Sequence, residues 1–518
     1  MTSASSQSVS KPAHSSTLHA SLREPSADYI NGRFVPAAGA ALTSHNPADP
    51  REIVFCGATD ITHVDAAVAA AREALPAWAR LTIDDRADVL RRWQSVVRAN
   101  IDRIATLITD EMGKTIAESR LEAGALAAKV DITLGTHSMA RVQEYTVSVS
   151  DSRAGNCRYK PHGVMAVIGP YNFPAHLPNG HFVPALLMGN TVIFKPSEKT
   201  PAVGQLLAEL MHEAEVPHGV FNMIQGAADV APTLVAHDDI DGILFTGSWP
   251  VGRKILEANL DRPGRMIALE MGGNNPAVVM PSASLQLAVV ECVRAAFATS
   301  GQRCTCTRRI LLHRDIADRF IRAFAHATSV LMIGPGHAQT PTFMGPLVTE
   351  ASADAVVKFQ RELIKRGGNV LVQATRMDRP GWFVSPGVVQ VERFSLEHDC
   401  EVFGPLVQIA VVDSLDDAIT QANATRYGLA ASIFTEDDAE YERFFAEVHA
   451  GCINRNTGTA GASSELPFGG VGLSGNHRPA GAFSAEYCAY PVANMVERNA
   501  TAMPTLPAGM TWRDEWLK

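Results

Sequence analysis

Residues 164–198, VMAVIGPYNFPAHLPNGHFVPALLMGNTVIFKPSE, decide how this chain is built. Val164–Ile168 is a short apolar run. A Pro/Gly/Asn loop follows, then a helix-length segment ending near Met188, then a second apolar run at Thr191–Phe194. Short apolar runs separated by a helical segment read as buried parallel strands joined by a crossover helix. The alternation continues with a helix at Ala202–Glu213 and strands at Val220–Ile224, Gly242–Phe245 and Met266–Leu269. A sheet of this kind binds its ligands beyond the carboxyl ends of its strands.

Upstream of this core, residues 29–56 read as short strands broken by Gly, Asn and Pro. From Ile61 to about Met139 apolar residues recur at three- and four-residue spacing, and Arg86–Arg98 and Asn100–Met112 read as successive amphipathic helices. Downstream, a second alternation occupies 274–480, with strands at AVVM (277–280), RILLH (309–313), LVQIAVVD (406–413) and CINRN (452–456), so a second α/β domain is expected. Glu144–Val149 and Cys488–Val496 fit neither unit; they read as plain edge strands or as an intersubunit sheet.

A chain of 518 residues exceeds one small core, so two or three structural units are expected. A net charge of −9 with no basic stripe argues against a nucleic-acid partner. No stretch approaches the ~20 apolar residues of a membrane span, so no membrane partner is expected. Residues 1–24 lack both a secretory apolar core and an Arg-rich amphipathic pattern, and read as a tail. The eight cysteines are scattered with no CxxC pair, which suggests reduced thiols in a cytoplasmic setting, with no disulfide framework and no metal site.

Three motifs carry chemistry: GPYNFP (169–174), LEMGG (269–273) and GQRCTC (301–306). Cys304 lies in a polar, small-residue segment beside Arg303, a cation that would favour thiolate. Cys306 reads as structural. Glu270 stands at a strand end 34 residues before Cys304 (304 − 270). FTGSWPVG (245–252) follows a strand and opens a helix, where backbone could approach a pyrophosphate, Gly247 and Gly252 keeping space open. Lys195 and Glu198 in FKPSE follow the second strand. A carboxylate there suits ribose hydroxyls and would repel a 2′-phosphate, favouring NAD over NADP.

In this order the motifs resemble the aldehyde dehydrogenase superfamily from about residue 29 to 496. Residues 169–198, LEMGGNNP, GQRCTCTRR and PFGGVGLSGNHRP are similar to its succinylglutamate-semialdehyde dehydrogenases. The resemblance implies an α/β fold with a Rossmann-type NAD-binding domain, an α/β catalytic domain and a small β oligomerisation arm. The divisions expected are a disordered tail (1–28), the NAD-binding domain (29–140 and 162–269), the catalytic domain (270–483), oligomerisation strands (141–161 and 484–500) and a C-terminal tail (501–518).

By the same resemblance Cys304 is the nucleophile. Glu270 is the base that activates water against the thioester, and Asn172, with the Cys304 N–H, forms the oxyanion hole. Gly247, Ser248 and Gly252 serve the cofactor, as do Lys195 and Glu198; Glu401 and Phe403 in CEVFGP contact the nicotinamide ribose and ring. Relatives that transfer the acyl group to coenzyme A lack this Glu, so a free acid is the expected product. The implied reaction is NAD-dependent oxidation of N-succinylglutamate 5-semialdehyde to N-succinylglutamate, a step of arginine catabolism. The alternatives are another semialdehyde, a general aliphatic aldehyde, or a catalytically idle structural or binding member. Arg303, His477 and Arg478 are candidates for the substrate carboxylates, with surface or interface salt bridges as the competing reading. NRNTGTAG (454–461) stands where the subfamily pattern has a Trp and a Lys-Pro pair. A homodimer or homotetramer is implied.

Overall fold

The computed structural model describes residues 18–499, 501 and 503–518. Residues 1–17 of the expected tail lie outside the described residues.

The strand Val164–Ile168 is buried along its whole length, as is Thr191–Lys195. A strand covered by helices on both faces needs no polar side, which is why both read as continuous apolar runs. Together with Phe221–Met223, Gly242–Gly247 and Met266–Met271 they form a five-stranded parallel array, completed by the antiparallel hairpin Asp28–Ile30/Arg33–Val35. From Val164–Ile168 the chain moves outward one way through 191–195 and 221–223. It then returns to the other side of Val164–Ile168 for 242–247 and 266–271. The connections therefore diverge between 164–168 and 242–247, and a crevice opens beyond their carboxyl ends.

Helices cover this sheet. Ile83–Ala99 starts at a capping box in which Thr82 accepts from the Asp85 N–H and the Asp85 carboxylate accepts from the Thr82 N–H. Its buried stripe (Ala87, Leu90, Trp93, Gln94, Val97) follows helical spacing. Trp93 Nε1 donates to Asn179 Oδ1 at 3.0 Å, tying it to the helix His176–Leu187.

The second sheet has the order 369–372, 387–390, 406–412, 307–313, 275–279, 430–434, 452–455, and is parallel except at its first pair. The two sheets meet at one place. Met266–Met271 ends the first, and after Gly272–Asn274 the chain enters Asn275–Val279 of the second. The adjoining strand Thr307–His313 is entered through residues 302–306. Glu270 thus ends a strand of one sheet, and Cys304 precedes a strand of the other.

A third, antiparallel sheet joins Ala489–Glu497, Arg153–Pro161 and Tyr145–Ser148. Tyr145, Val147 and Met495 are exposed on it. The stretch to residue 28, expected as tail, differs over 18–28. Ser21, Leu22, Ala27 and Asp28 are buried, and the Arg23 and Glu24 N–H groups donate to the Glu209 carboxylate. Local composition marks this segment as a tail, but a buried acceptor over 180 residues away satisfies its backbone. No helix among the described residues is long and apolar enough to cross a membrane.

Arg309 sits fully buried in Thr307–His313, and its guanidinium donates to the carbonyls of Asn274, Gln421 and Ala422 at 2.7–2.9 Å. Arg309→Met should lower unfolding stability by about 3 kcal/mol or more, because three buried carbonyls lose their donor. Urea denaturation measures this, and a loss below about 1 kcal/mol would contradict it.

Candidate active site

Residues 298–306 fold as a turn and a loop before the strand. Thr299 and Ser300 adopt left-handed backbone, followed by Gly301 with φ 71°. The loop is held from below by Asn275, whose Nδ2 donates to the carbonyls of Cys304 (2.7 Å) and Cys306 (2.8 Å). Its Oδ1 accepts from the Ala430 N–H at 3.0 Å, so both amide protons and the oxygen are engaged and the orientation of the amide is set. Arg308 holds the loop from the other side. It donates to the carbonyls of Gly273 (3.0 Å), Gly301 (3.3 Å) and Arg303 (2.9 Å), and to Glu401 Oε1 at 3.2 Å.

Cys304 is half-buried. Burial pushes its thiol well above the ordinary value; the carboxylates of Glu270 and Glu401 push the same way, and Arg308 opposes them. This corrects the expectation that Arg303 favours the thiolate. Arg303 is turned away, with Nε on Thr299 Oγ1 at 2.8 Å and Nη2 on Glu118 Oε1 at 3.1 Å. Adjacency in sequence did not put its charge on the sulfur. The cation that acts there is Arg308, and desolvation outweighs it.

Glu270 is 5% exposed, and its Oε1 has no hydrogen-bond partner. Burial alone raises its carboxyl well above the ordinary value. An isolated carboxyl in such a place holds its proton at pH values where a surface Glu has lost it. Asn172 is buried in the loop after Val164–Ile168, and its Nδ2 donates to the Gln302 carbonyl at 3.0 Å. One amide proton is thereby fixed, and the other is available.

A groove of about 920 Å³ runs across the crevice. It is lined by Asn172 and Cys304, and also by Lys195, Glu198, Gly247, Ser248, Glu401 and Phe403. Gly252 is buried against Met271, whose sulfur a Cβ there would strike. A Cβ on Gly247 would strike the Phe245 ring, and one on Gly272 would enter the Glu401 carboxylate. Ser248 gives the helix Trp249–Glu257 no side-chain cap; Pro250 has no N–H, and the Val251 and Gly252 N–H groups donate to the Ser248 carbonyl at 3.1 and 3.0 Å, so the Trp249 N–H is the one left at this helix start for an anion. Lys195 is buried with its ammonium on the carbonyls of Pro196 (2.6 Å) and Gly226 (2.7 Å), and burial pushes it down to about 8. Phe403 packs edge-on to Tyr171 at 6.0 Å and lies under Arg308.

His477 and Arg478 are exposed and line a separate cavity of about 160 Å³, which Glu270 also borders. Asn476 holds them there: its side chain accepts from the Leu269 N–H and donates to the Ile267 carbonyl, both at 2.9 Å. Asn275, Arg308 and Asn476 are the residues that motif reading passes over. The consecutive arginines of TRRILLH were a usable signal, since two charges inside a fully apolar run must find buried partners.

The chain matches the family model described as the aldehyde dehydrogenase family over residues 34–491. It is 43% identical to an N-succinylglutamate 5-semialdehyde dehydrogenase of Novosphingobium aromaticivorans, covering 88% of this chain and 96% of that one. To the protein of the same name from Chromobacterium violaceum it is 41% identical, over 92% and 97% of the two chains. The crystal structure of PnpE, from Pseudomonas sp. WBC-3, in complex with nicotinamide adenine dinucleotide superposes with a TM-score of 0.87 at 32% identity, covering 93% of this chain and 99% of that one.

The electrostatics make a pH prediction. Alkylation of Cys304 should accelerate with pH only above the ordinary thiol range, since the folded thiol titrates high. Because the Glu270 charge opposes thiolate formation, Glu270→Gln should move that profile to lower pH. Iodoacetamide labelling read at the Cys304 peptide tests this; an unmoved profile would contradict it.

Proposed function

The chain belongs to the aldehyde dehydrogenase family, and from that premise we propose that it oxidises N-succinylglutamate 5-semialdehyde to N-succinylglutamate with NAD. The observation that carries this reading is that the half-buried Cys304 thiol and the buried Asn172 amide line one groove of about 920 Å³, with the buried carboxyl of Glu270 directly before the groove-lining Met271.

Bound NAD would supply the hydride acceptor. The chain's residues to hold it are Glu198 for the adenosine ribose, the uncapped helix at Ser248 for the pyrophosphate, and Glu401 with Phe403 for the nicotinamide ribose and ring. Once it has lost its proton to solvent, the Cys304 sulfur attacks the aldehyde carbon, forming a C–S bond as the C=O π bond breaks and moving the negative charge from sulfur to oxygen. The free amide proton of Asn172 faces that charge; a donor so placed contributes about 3–4 kcal/mol to such steps. Oxidation leaves a thioester on Cys304. Glu270, once ionised, takes a proton from water, whose oxygen attacks the acyl carbon; the C–S bond breaks with its electron pair going to sulfur, and the resulting thiolate is ready to attack again or to take a proton back. The raised carboxyl suits this role, because a base that titrates high accepts a proton readily. Homodimer or homotetramer assembly through the sheet 145–148/153–161/489–497 belongs to the same reading.

One observation favours a second substrate. Arg455, the cation of the divergent stretch 454–461, pairs with Asp438 and lies over the Tyr441 ring, while Thr457 and the Gly458 N–H bond Glu291. That stretch directs no cation toward the groove, which would suit a semialdehyde carrying fewer carboxylates.

Turnover on succinylated, free and aliphatic semialdehydes with NAD and NADP, followed by absorbance of the reduced nicotinamide, separates these readings. Succinylglutamate semialdehyde with NAD should give the highest kcat/KM. A free semialdehyde ahead of it favours the second reading, and no turnover with any aldehyde overturns both. For Glu270→Gln the expected result is a first-turnover burst followed by slow steady state, with slowing of 100-fold or more being on the order of what a lost general base causes.

A further inference from the structure

Thr299 (φ 55°), Ser300 (φ 56°) and Gly301 (φ 71°) form a left-handed turn just ahead of Cys304. For Thr and Ser this backbone is strained, because Cβ crowds the neighbouring carbonyl, and it persists only where the surroundings impose it. Ser300 Oγ donates to the Gly345 carbonyl at 2.8 Å. At the first residue the restraint is a single carboxylate. Glu118 Oε1 accepts from the Thr299 N–H and from its hydroxyl, each at 2.8 Å, and from Arg303 at 3.1 Å. Arg303 Nε closes the ring on Thr299 Oγ1.

The turn's far end reaches the chemistry. The Gln302 N–H donates to the Thr299 carbonyl at 3.0 Å, and its side chain accepts from the Val348 N–H at 3.1 Å. The Gln302 carbonyl receives the Asn172 amide, and Cys304 follows two residues on. We propose that Glu118 is a positioning residue, whose carboxylate fixes the left-handed turn 299–301 and thereby aims both the Cys304 sulfur and the Asn172 amide.

Read from sequence, Thr115-Ile116-Ala117-Glu118 is an ordinary helix start with an acid in the first turn. In the structure the cap bond runs from the Glu118 N–H to Thr115 Oγ1 at 3.3 Å. That bond uses backbone and survives substitution of the side chain. Of the carboxylate oxygens, Oε2 accepts from Thr115 Oγ1 at 3.2 Å, a local contact, while Oε1 crosses to a segment more than 180 residues away. Helix stability and nucleophile placement can therefore be separated by experiment.

The inference rests on the reading of Cys304 as nucleophile, and the test keeps the two apart. Full-length parent, Glu118→Ala, Glu118→Gln and Cys304→Ala are compared for Tm, kcat, KM for NAD, and iodoacetamide labelling at the Cys304 peptide. Glu118→Ala should keep Tm within a few degrees and KM for NAD within about twofold, while kcat and the labelling rate fall about tenfold or more, as for other small misplacements of reacting groups. Glu118→Gln, which retains an oxygen for Thr299, should recover most of both. Parent-like kcat and labelling in Glu118→Ala, a kcat loss matched by unfolding, or no rescue by Gln would overturn the proposal. If Cys304→Ala is inactive while Glu118→Ala is normal, only the Glu118 role fails; an active Cys304→Ala removes the nucleophile reading and this proposal together.

Discussion

A carboxyl group buried without a hydrogen-bond partner resists ionisation, and the arrangement around Glu270 depends on that resistance. The same desolvation acts on Cys304, and the Glu270 carboxylate pushes its thiol further the same way. Both groups are thereby biased toward their protonated forms. In the proposed cycle such a site stays quiet until aldehyde arrives, then has a base that titrates high enough to deprotonate water. A solvent-exposed pair would be charged sooner and would be a weaker base.

Around this carboxyl, two side chains pair buried backbone. Arg308 satisfies three backbone carbonyls and the Glu401 carboxylate, and Asn275 satisfies two more carbonyls under the nucleophile loop. The fold supplies the meeting point. One sheet ends at Met271 and the next begins at Asn275, so the acid and the thiol enter from different sheets without a long flexible connection. The crevice between 164–168 and 242–247 brings the Asn172 loop and the uncapped helix to the same place.

Much of this was legible beforehand, for a physical reason. Strands covered on both faces are largely apolar, so 164–168, 191–194 and 242–245 announce themselves. Glu270, Cys304 and Asn172 sit in local motifs whose residues lie close in space as well as in sequence. What escaped reading depends on partners far along the chain. Arg303 looked like the cation for the thiol by adjacency, but Glu118 and Thr299 claim it. Residues 18–28 have a tail's composition, yet Glu209 satisfies their backbone. Asn275 acts through carbonyls, which leave no mark in the sequence, whereas Arg308 left one in the paired arginines of TRRILLH.

The central claim is that an acyl group rests on Cys304 and that Glu270 governs its release. Its most direct measure is peptide mass spectrometry of Glu270→Gln, quenched in acid after one turnover with NAD and aldehyde. The account predicts an increase equal to the substrate's acyl group, confined to the peptide bearing Cys304 and largely absent from the parent enzyme. An unmodified Cys304 peptide, or the adduct on another cysteine, would contradict it.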